Sequence, residues 1–151
     1  MEKVVVIGYP GTGVEEFGKI LSKHTGLPYH DINEAFYLQE EDSGKTFSFD
    51  DRVREITKSQ AWVIAGLYVD SSLEIRLEEG DTIFFLDYPL QLCQELITKN
   101  PNGALTSGTM TKIHRDTGPK ILKMLEKCSE KNIIIFNNEE EKDNFVNTFL
   151  S

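Results

Sequence analysis

The chain has 151 residues, 39% hydrophobic and 27% charged, with a formal net charge of -9. These values describe one soluble domain large enough to bury a core. They exclude a general affinity for polyanionic surfaces, because an acidic exterior repels nucleic acid and anionic membrane, so neither is expected as a direct partner.

The chain opens into a strand, with no basic leader and no long apolar run, which predicts a cytoplasmic protein. The β-branched run at 4–7 predicts a strand buried on both faces of a parallel sheet. A glycine-rich turn follows, then a helix over 14–25 that buries Phe17, Ile20 and Leu21 and is closed by Gly26. Residues 27–32 read as a short strand, and the polar, acidic stretch 38–47 as a loop. Ser48 with Asp51 forms a capping-box pattern, starting a helix with Val53 and Ile56 facing inward.

Residues 62–65 are the next buried strand, ended by Gly66. A helix over 71–79 and a strand over 82–86 come next, with Asp87 at the strand's carboxyl end. Pro89 opens a helix that runs to about residue 98, a favoured first-turn place for proline. Residues 99–118 are rich in Asn, Gly, Thr and Ser and read as a long lid loop. Pro119 starts another helix with Ile121, Leu122 and Leu125 on one face. Residues 133–136 form the last strand, and Asn138 caps a final helix carrying Phe145, Val146, Phe149 and Leu150. Strands alternating with helices predict a single α/β domain over 1–151, three layers around a five-stranded parallel sheet. Ligands in such sheets gather at the carboxyl ends of the strands.

Residues 8–15, Gly-Tyr-Pro-Gly-Thr-Gly-Val-Glu, are the most informative stretch. A phosphate-binding loop reads Gly, four residues, Gly, Lys, then Ser or Thr, between a buried strand and a helix. Gly8 and Gly13 fill the glycine positions and Gly11 adds a third. Val14 stands in place of the lysine, and Glu15 in place of the hydroxyl. Glycines let successive amides curl around a phosphate, and the helix end adds positive potential. Lysine then neutralises the outer phosphates while the hydroxyl ligates magnesium. Gly8, Pro10, Gly11, Thr12, Gly13, Val14 and Glu15 are therefore the candidate nucleotide-contacting residues, with the cation and the metal ligand missing. Glu15 and Glu16 sit where the helix dipole favours carboxylates, and they could satisfy the amides themselves. Three readings stay open: a tight turn inherited with the fold, retained nucleotide or phosphate binding without efficient catalysis, and an active kinase with a substitute cation. Lys19 lies about 140° around the helix from Val14 and is a poor substitute. Lys112 and Arg115, arriving from the long loop, are better placed.

Asp87 reads equally as a magnesium carboxylate or as a cap on the following helix. Asp87 and Arg115 are the candidate catalytic residues. Arg76 is expected to pair with Asp81 rather than to reach the rim. His30 and Asp31 read as a local hydrogen bond rather than a substrate site. His24 and His114 have no partner at metal-ligand spacing, and no metal site is expected. Cys93 and Cys128 read as buried free thiols. Glu139, Glu140 and Glu141 form a solvated cap on the last helix.

Several segments carry a resemblance: Val-Val-Val-Ile-Gly-Tyr-Pro-Gly-Thr-Gly, Thr25-Gly26-Leu27-Pro28, Trp62-Val63-Ile64-Ala65-Gly66, Leu73-Glu74-Ile75-Arg76-Leu77, the run from Asp81 to Pro89, Leu92-Cys93 and Pro119-Lys120-Ile121. Over nearly its full length the chain resembles the small adenylate-kinase-like P-loop proteins of the bacterial DNA topology modulation type. The resemblance implies a nucleotide site for ATP with magnesium at the glycine loop, an acceptor site across the rim and an arginine-bearing lid. Members of that family carry Lys and Ser or Thr at 14 and 15, Asp at 33 and Asp-Gly-Asn around 65–67. This chain has Val14, Glu15, Asn33 and Ala65-Gly66-Leu67, and Arg115 is nearly alone in the lid. The departures fall on phosphate, magnesium and acceptor positions. They predict a degenerate kinase with weak or absent use of ATP and magnesium, binding at most a nucleotide or phosphate-like anion. The alternatives are an active ATP-dependent small-molecule or nucleotide kinase, and a regulatory module that binds a protein partner.

Overall fold

The computed structural model describes residues 1–32, 49–67, 71–99 and 107–150. Its elements in chain order are β1 (Lys3–Gly8), α1 (Val14–Thr25), β2 (Tyr29–Asp31), α2 (Phe49–Thr57), β3 (Trp62–Ala65), α3 (Ser71–Glu79), β4 (Thr82–Leu86), α4 (Leu90–Lys99), α5 (Ser107–Glu126), β5 (Asn132–Phe136) and α6 (Glu139–Phe149). The strands form one parallel sheet in the order β2-β3-β1-β4-β5. The predicted α/β fold with five parallel strands is what the chain adopts. The 38–47 loop, Ser48 of the capping box and Asn33 lie outside the described residues.

Burial explains the strand composition. Val4 to Ile7 and Ile83 to Leu86 are wholly shielded, since helices cover both faces of the two central strands. Below them Phe17 of α1 meets Phe84, Phe136 and Phe145 edge-on, at 5.1, 5.6 and 6.3 Å between ring centres. This cluster fixes α1 and α6 on the same face, which brings the starts of both helices to the carboxyl rim of the sheet. β5 is one of the two edge strands, and its Ile135 stays exposed. Among the described residues no helix is long and apolar enough to cross a membrane.

Two expectations need correcting. The predicted lid loop at 99–118 is helical from Ser107, and α5 runs straight through Pro119. A single stripe of Met110, His114, Gly118, Ile121 and Leu125 turns inward along it, at spacings of three and four. Gly118 and Thr-rich composition made this segment read as a loop, yet Gly118 is the contact residue. Tyr9 packs so closely against it that any side chain there would collide with the phenol oxygen. Arg76, in turn, does not pair with Asp81. It is fully buried and donates from Nε to the Ser72 carbonyl at 3.3 Å, and from its Nη atoms to the Gly66 and Leu67 carbonyls at 3.1 and 3.4 Å. It thus binds α3 to the carboxyl end of β3 and satisfies backbone acceptors that a smaller residue would leave stranded.

Candidate functional site

β1 lies between β3 and β4, so the chain leaves Gly8 at the point where the strand order reverses. That crevice is where an open parallel sheet accepts ligands. The turn beyond Gly8 is built by Thr12. Its amide and hydroxyl both donate to the Tyr9 carbonyl, at 3.2 and 2.7 Å. Gly11 sits at φ +90 on the apex, against α4. A Cβ there would stand 2.8 Å from Ile97 Cγ1 and 3.0 Å from the Cys93 carbonyl. Gly13, at φ 80, is the N-cap of α1.

Val14 settles the geometry of the missing lysine. It is 5% exposed. Its Cγ2 lies 2.5 Å from the point a Cβ on Gly8 would occupy, with Thr12 Oγ1 at 2.7 Å and Leu86 Cβ at 2.9 Å. The side chain is folded back onto the strand end and completes the core there. Glu16, one residue beyond Glu15, turns its carboxylate back over Gly13, with Oε2 3.2 Å from the equivalent point on that residue.

Asp87 ends β4, and its amide donates to the Phe136 carbonyl at 2.8 Å. Burial raises its carboxyl above the usual range, and this outweighs the opposing hydrogen bond from Tyr9 and the charge of His114. The Tyr9 phenol is raised in turn by burial and then by Asp87. Asp87 therefore faces Tyr9 and His114 rather than serving as a cap on α4. Tyr9 stacks on His114 with ring centres 3.7 Å apart, which docks α5 directly on the loop. His114 has its Nε2 3.0 Å from the Tyr88 carbonyl and its Nδ1 3.3 Å from the Met110 carbonyl, so both nitrogens are engaged.

Cys93 Sγ lies 3.7 Å from His114 Nε2, a neighbourhood that resembles a thiol–imidazole nucleophile. The thiol is fully buried and pushed up to about 12, by burial first and then by the Asp87 charge. It stays protonated at neutral pH and is chemically inert. Cys128 is likewise a buried free thiol.

The other predicted cation is not delivered to the loop. Arg115 projects from α5 with its side chain 68% exposed and bonds Asp116 at 3.0 Å. Lys112 is exposed on the same helix. The cation that does approach is Lys142 of α6, whose Nζ stands 3.6 Å from the point a Cβ on Gly13 would occupy. Nothing in its sequence spacing marks it, because the contact is made only by folding α6 against α1.

These groups can do limited chemistry. A nucleoside triphosphate with magnesium needs a lysine on the outer phosphates and a hydroxyl on the metal. Val14 and Glu15 supply neither, so the side chains do not fit that ligand. Among the described residues no group of three or more His, Cys, Asp or Glu side chains is arranged to hold a metal.

No family model matches the sequence. Over 46 residues, 30% of this chain, it is 48% identical to a shikimate kinase of Flavobacterium psychrophilum, and the match spans only a quarter (25%) of that protein's length. The whole structure aligns with a shikimate kinase from Acinetobacter baumannii in complex with shikimate, at a TM-score of 0.66 and 15% identity, covering 100% of this chain and 96% of that one. A gluconokinase from Sinorhizobium meliloti 1021 aligns at a TM-score of 0.65 and 16% identity, covering 99% and 89%. The fold is that of a P-loop kinase. At these identities the likeness establishes the architecture alone.

Proposed function

We propose that this P-loop kinase-fold protein has lost efficient phosphoryl transfer and retains a weak site for a nucleotide or phosphate-like anion at the 8–13 loop. The observation that carries this reading is the orientation of Val14. Its methyls are committed to the core under Gly8, so the position is a packing site and not a shortened lysine. Losing a charge-assisted hydrogen bond to a phosphate weakens binding by about 1.5–3 kcal/mol. It weakens the transition state at least as much, because charge grows on the transferring group.

The remaining candidates do not restore the loss. Asp87 sits where a metal carboxylate belongs in this fold. Its carboxyl meets Tyr9 and His114, and Asp87 supplies neither the cation nor the hydroxyl that positions 14 and 15 lack. Arg115 is turned into solvent and paired. The narrower kinship with proteins of the topology modulation type, and a cytoplasmic location, belong to the same proposal. The kinship is supported by the segment resemblances, and the location by the absence of a helix long and apolar enough to cross a membrane among the described residues.

The test is a transfer assay with labelled ATP and magnesium, offering shikimate and gluconate as acceptors on the strength of the neighbours' names. No transfer above the uncatalysed background is expected with either acceptor. Turnover with either one, abolished by Asp87→Asn, would overturn the reading in favour of an active kinase.

A further inference from the structure

We infer that the open edge of β5 is a self-association site, where a second copy of this chain pairs its own β5 antiparallel and continues the sheet. The bonds on the covered side fix what the open side offers. Asn132 donates its amide to the Asp81 carbonyl, and Phe136 accepts from the Asp87 amide. In a parallel ladder alternate residues turn both backbone groups to the same neighbour, so Asn132, Ile134 and Phe136 face β4. Ile133 and Ile135 therefore turn their amides and carbonyls outward, where no described strand meets them. The run of outward groups is closed at both ends. The Lys131 amide donates to the Cys128 carbonyl, and the Asn137 amide to Glu141 Oε1 at 2.7 Å.

Two observations favour a second copy over an unrelated strand. A two-fold axis at Ile134 sets Ile133 opposite the partner's Ile135, and Ile135 opposite the partner's Ile133. Every outward amide and carbonyl of both copies is then paired, with none left over. The same axis lays the flank carrying Lys127 and Lys131 against the partner's flank of Glu140 and Glu141, so opposite charges meet twice. Nothing on the strand opposes pairing. Residues 132–138 hold no charged side chain and no proline, the devices that usually keep an exposed edge from pairing. The other edge strand, β2, is only three residues long and carries Asp31. Beside β5 the surface is apolar as well. Ile135 is 39% exposed and Phe149 of α6 71%. A groove of about 450 Å³ runs between strand and helix, lined by Ile135, Phe136, Phe145 and Phe149. A continued sheet brings the partner's α6 alongside and covers this groove. The charge of -9 on each copy opposes association, and at 0.15 M salt that repulsion is screened beyond about 8 Å.

The test is sedimentation equilibrium of the intact protein over a concentration series at that ionic strength, with cysteine cross-linking to read the register. Wild type should show a monomer–dimer equilibrium. Ile135→Lys should raise the dissociation constant by about tenfold or more, because a two-fold interface loses the contact twice. Its melting temperature at low protein concentration should stay near that of wild type, since the side chain is exposed. Ile134→Cys would meet its symmetry mate in a pair whose Cα atoms stand about 4.5 Å apart, within reach of a disulfide. It should cross-link when treated with glutathione disulfide, whereas wild type, whose own two thiols are buried, should not. Ile135→Cys should not cross-link either, because its mate lies on the diagonal, beyond the roughly 7 Å that a disulfide spans. An unrelated strand as the occupant would leave wild type monomeric at every concentration, which overturns the inference. A dimer indifferent to Ile135→Lys, or one cross-linked through Ile135→Cys and not Ile134→Cys, overturns it as well.

Discussion

The two ends of β4 carry the same residue type in opposite circumstances. At the amino end, Asp81 accepts from the Glu2 amide at 3.0 Å, the Lys3 amide at 2.9 Å and the Thr82 hydroxyl at 2.7 Å. Burial works against its charge, yet these bonds win and hold the carboxyl below the usual range. At the carboxyl end, burial wins over Tyr9 and His114, and Asp87 is held above it. One end of the strand is chemically complete and serves folding. The other keeps a carboxylate that the surrounding protein does not fully support, the condition that marks sites prepared for a ligand or a proton.

The largest break in this contrast should come from Gly8→Ala, since a Cβ there meets Val14, Thr12 and Leu86 all within 3 Å. We expect a loss of about 3 kcal/mol. In a chain of this size that lowers the melting temperature by roughly 6–12 °C. The double change Val14→Lys with Glu15→Thr sharpens the contrast instead. It should raise ATP affinity by about tenfold or more, at some cost in stability, as followed by calorimetric titration and melting. Unchanged affinity would mean the deficiency lies beyond the loop.

Asp81→Asn should cost about 1 kcal/mol at neutral pH. Because the folded carboxyl is depressed below the unfolded value of about 3.9, its contribution is complete above that pH and is lost as pH falls through the folded value. The difference between mutant and wild type should therefore narrow in denaturant melts as pH falls below the unfolded value and through the folded one. Asp87→Asn should act in the other direction and more weakly. With the folded carboxyl raised, ionisation destabilises wild type as pH climbs through and above the ordinary range. The asparagine variant should then be more stable at neutral pH by about 0.5 kcal/mol after solvent screening, and no different in acid.

The sequence made the frame legible because burial imposes its own composition. A continuous β-branched run marked β1, a short apolar run marked β3, and Gly26 and Asn138 closed and opened helices where expected. Asn138 does accept from the Glu141 amide, at 2.8 Å. The first half of α5 was not legible, since its inward stripe runs through His114 and Gly118, residues that carry no hydrophobic signal. The stacking of Tyr9 on His114, the burial of Arg76 against carbonyls and the approach of Lys142 to Gly13 are tertiary contacts between segments far apart in the chain. No local spacing encodes them. The missing lysine was plain in the sequence. That its replacement is buried against the strand end needed the packing around Gly8.

The most direct measurement is calorimetric titration of the wild-type protein with ATP, with and without magnesium. The account predicts weak binding at millimolar concentration that magnesium does not strengthen, since neither a lysine nor a hydroxyl ligand stands at 14 and 15. Sub-millimolar binding that depends on magnesium would contradict it.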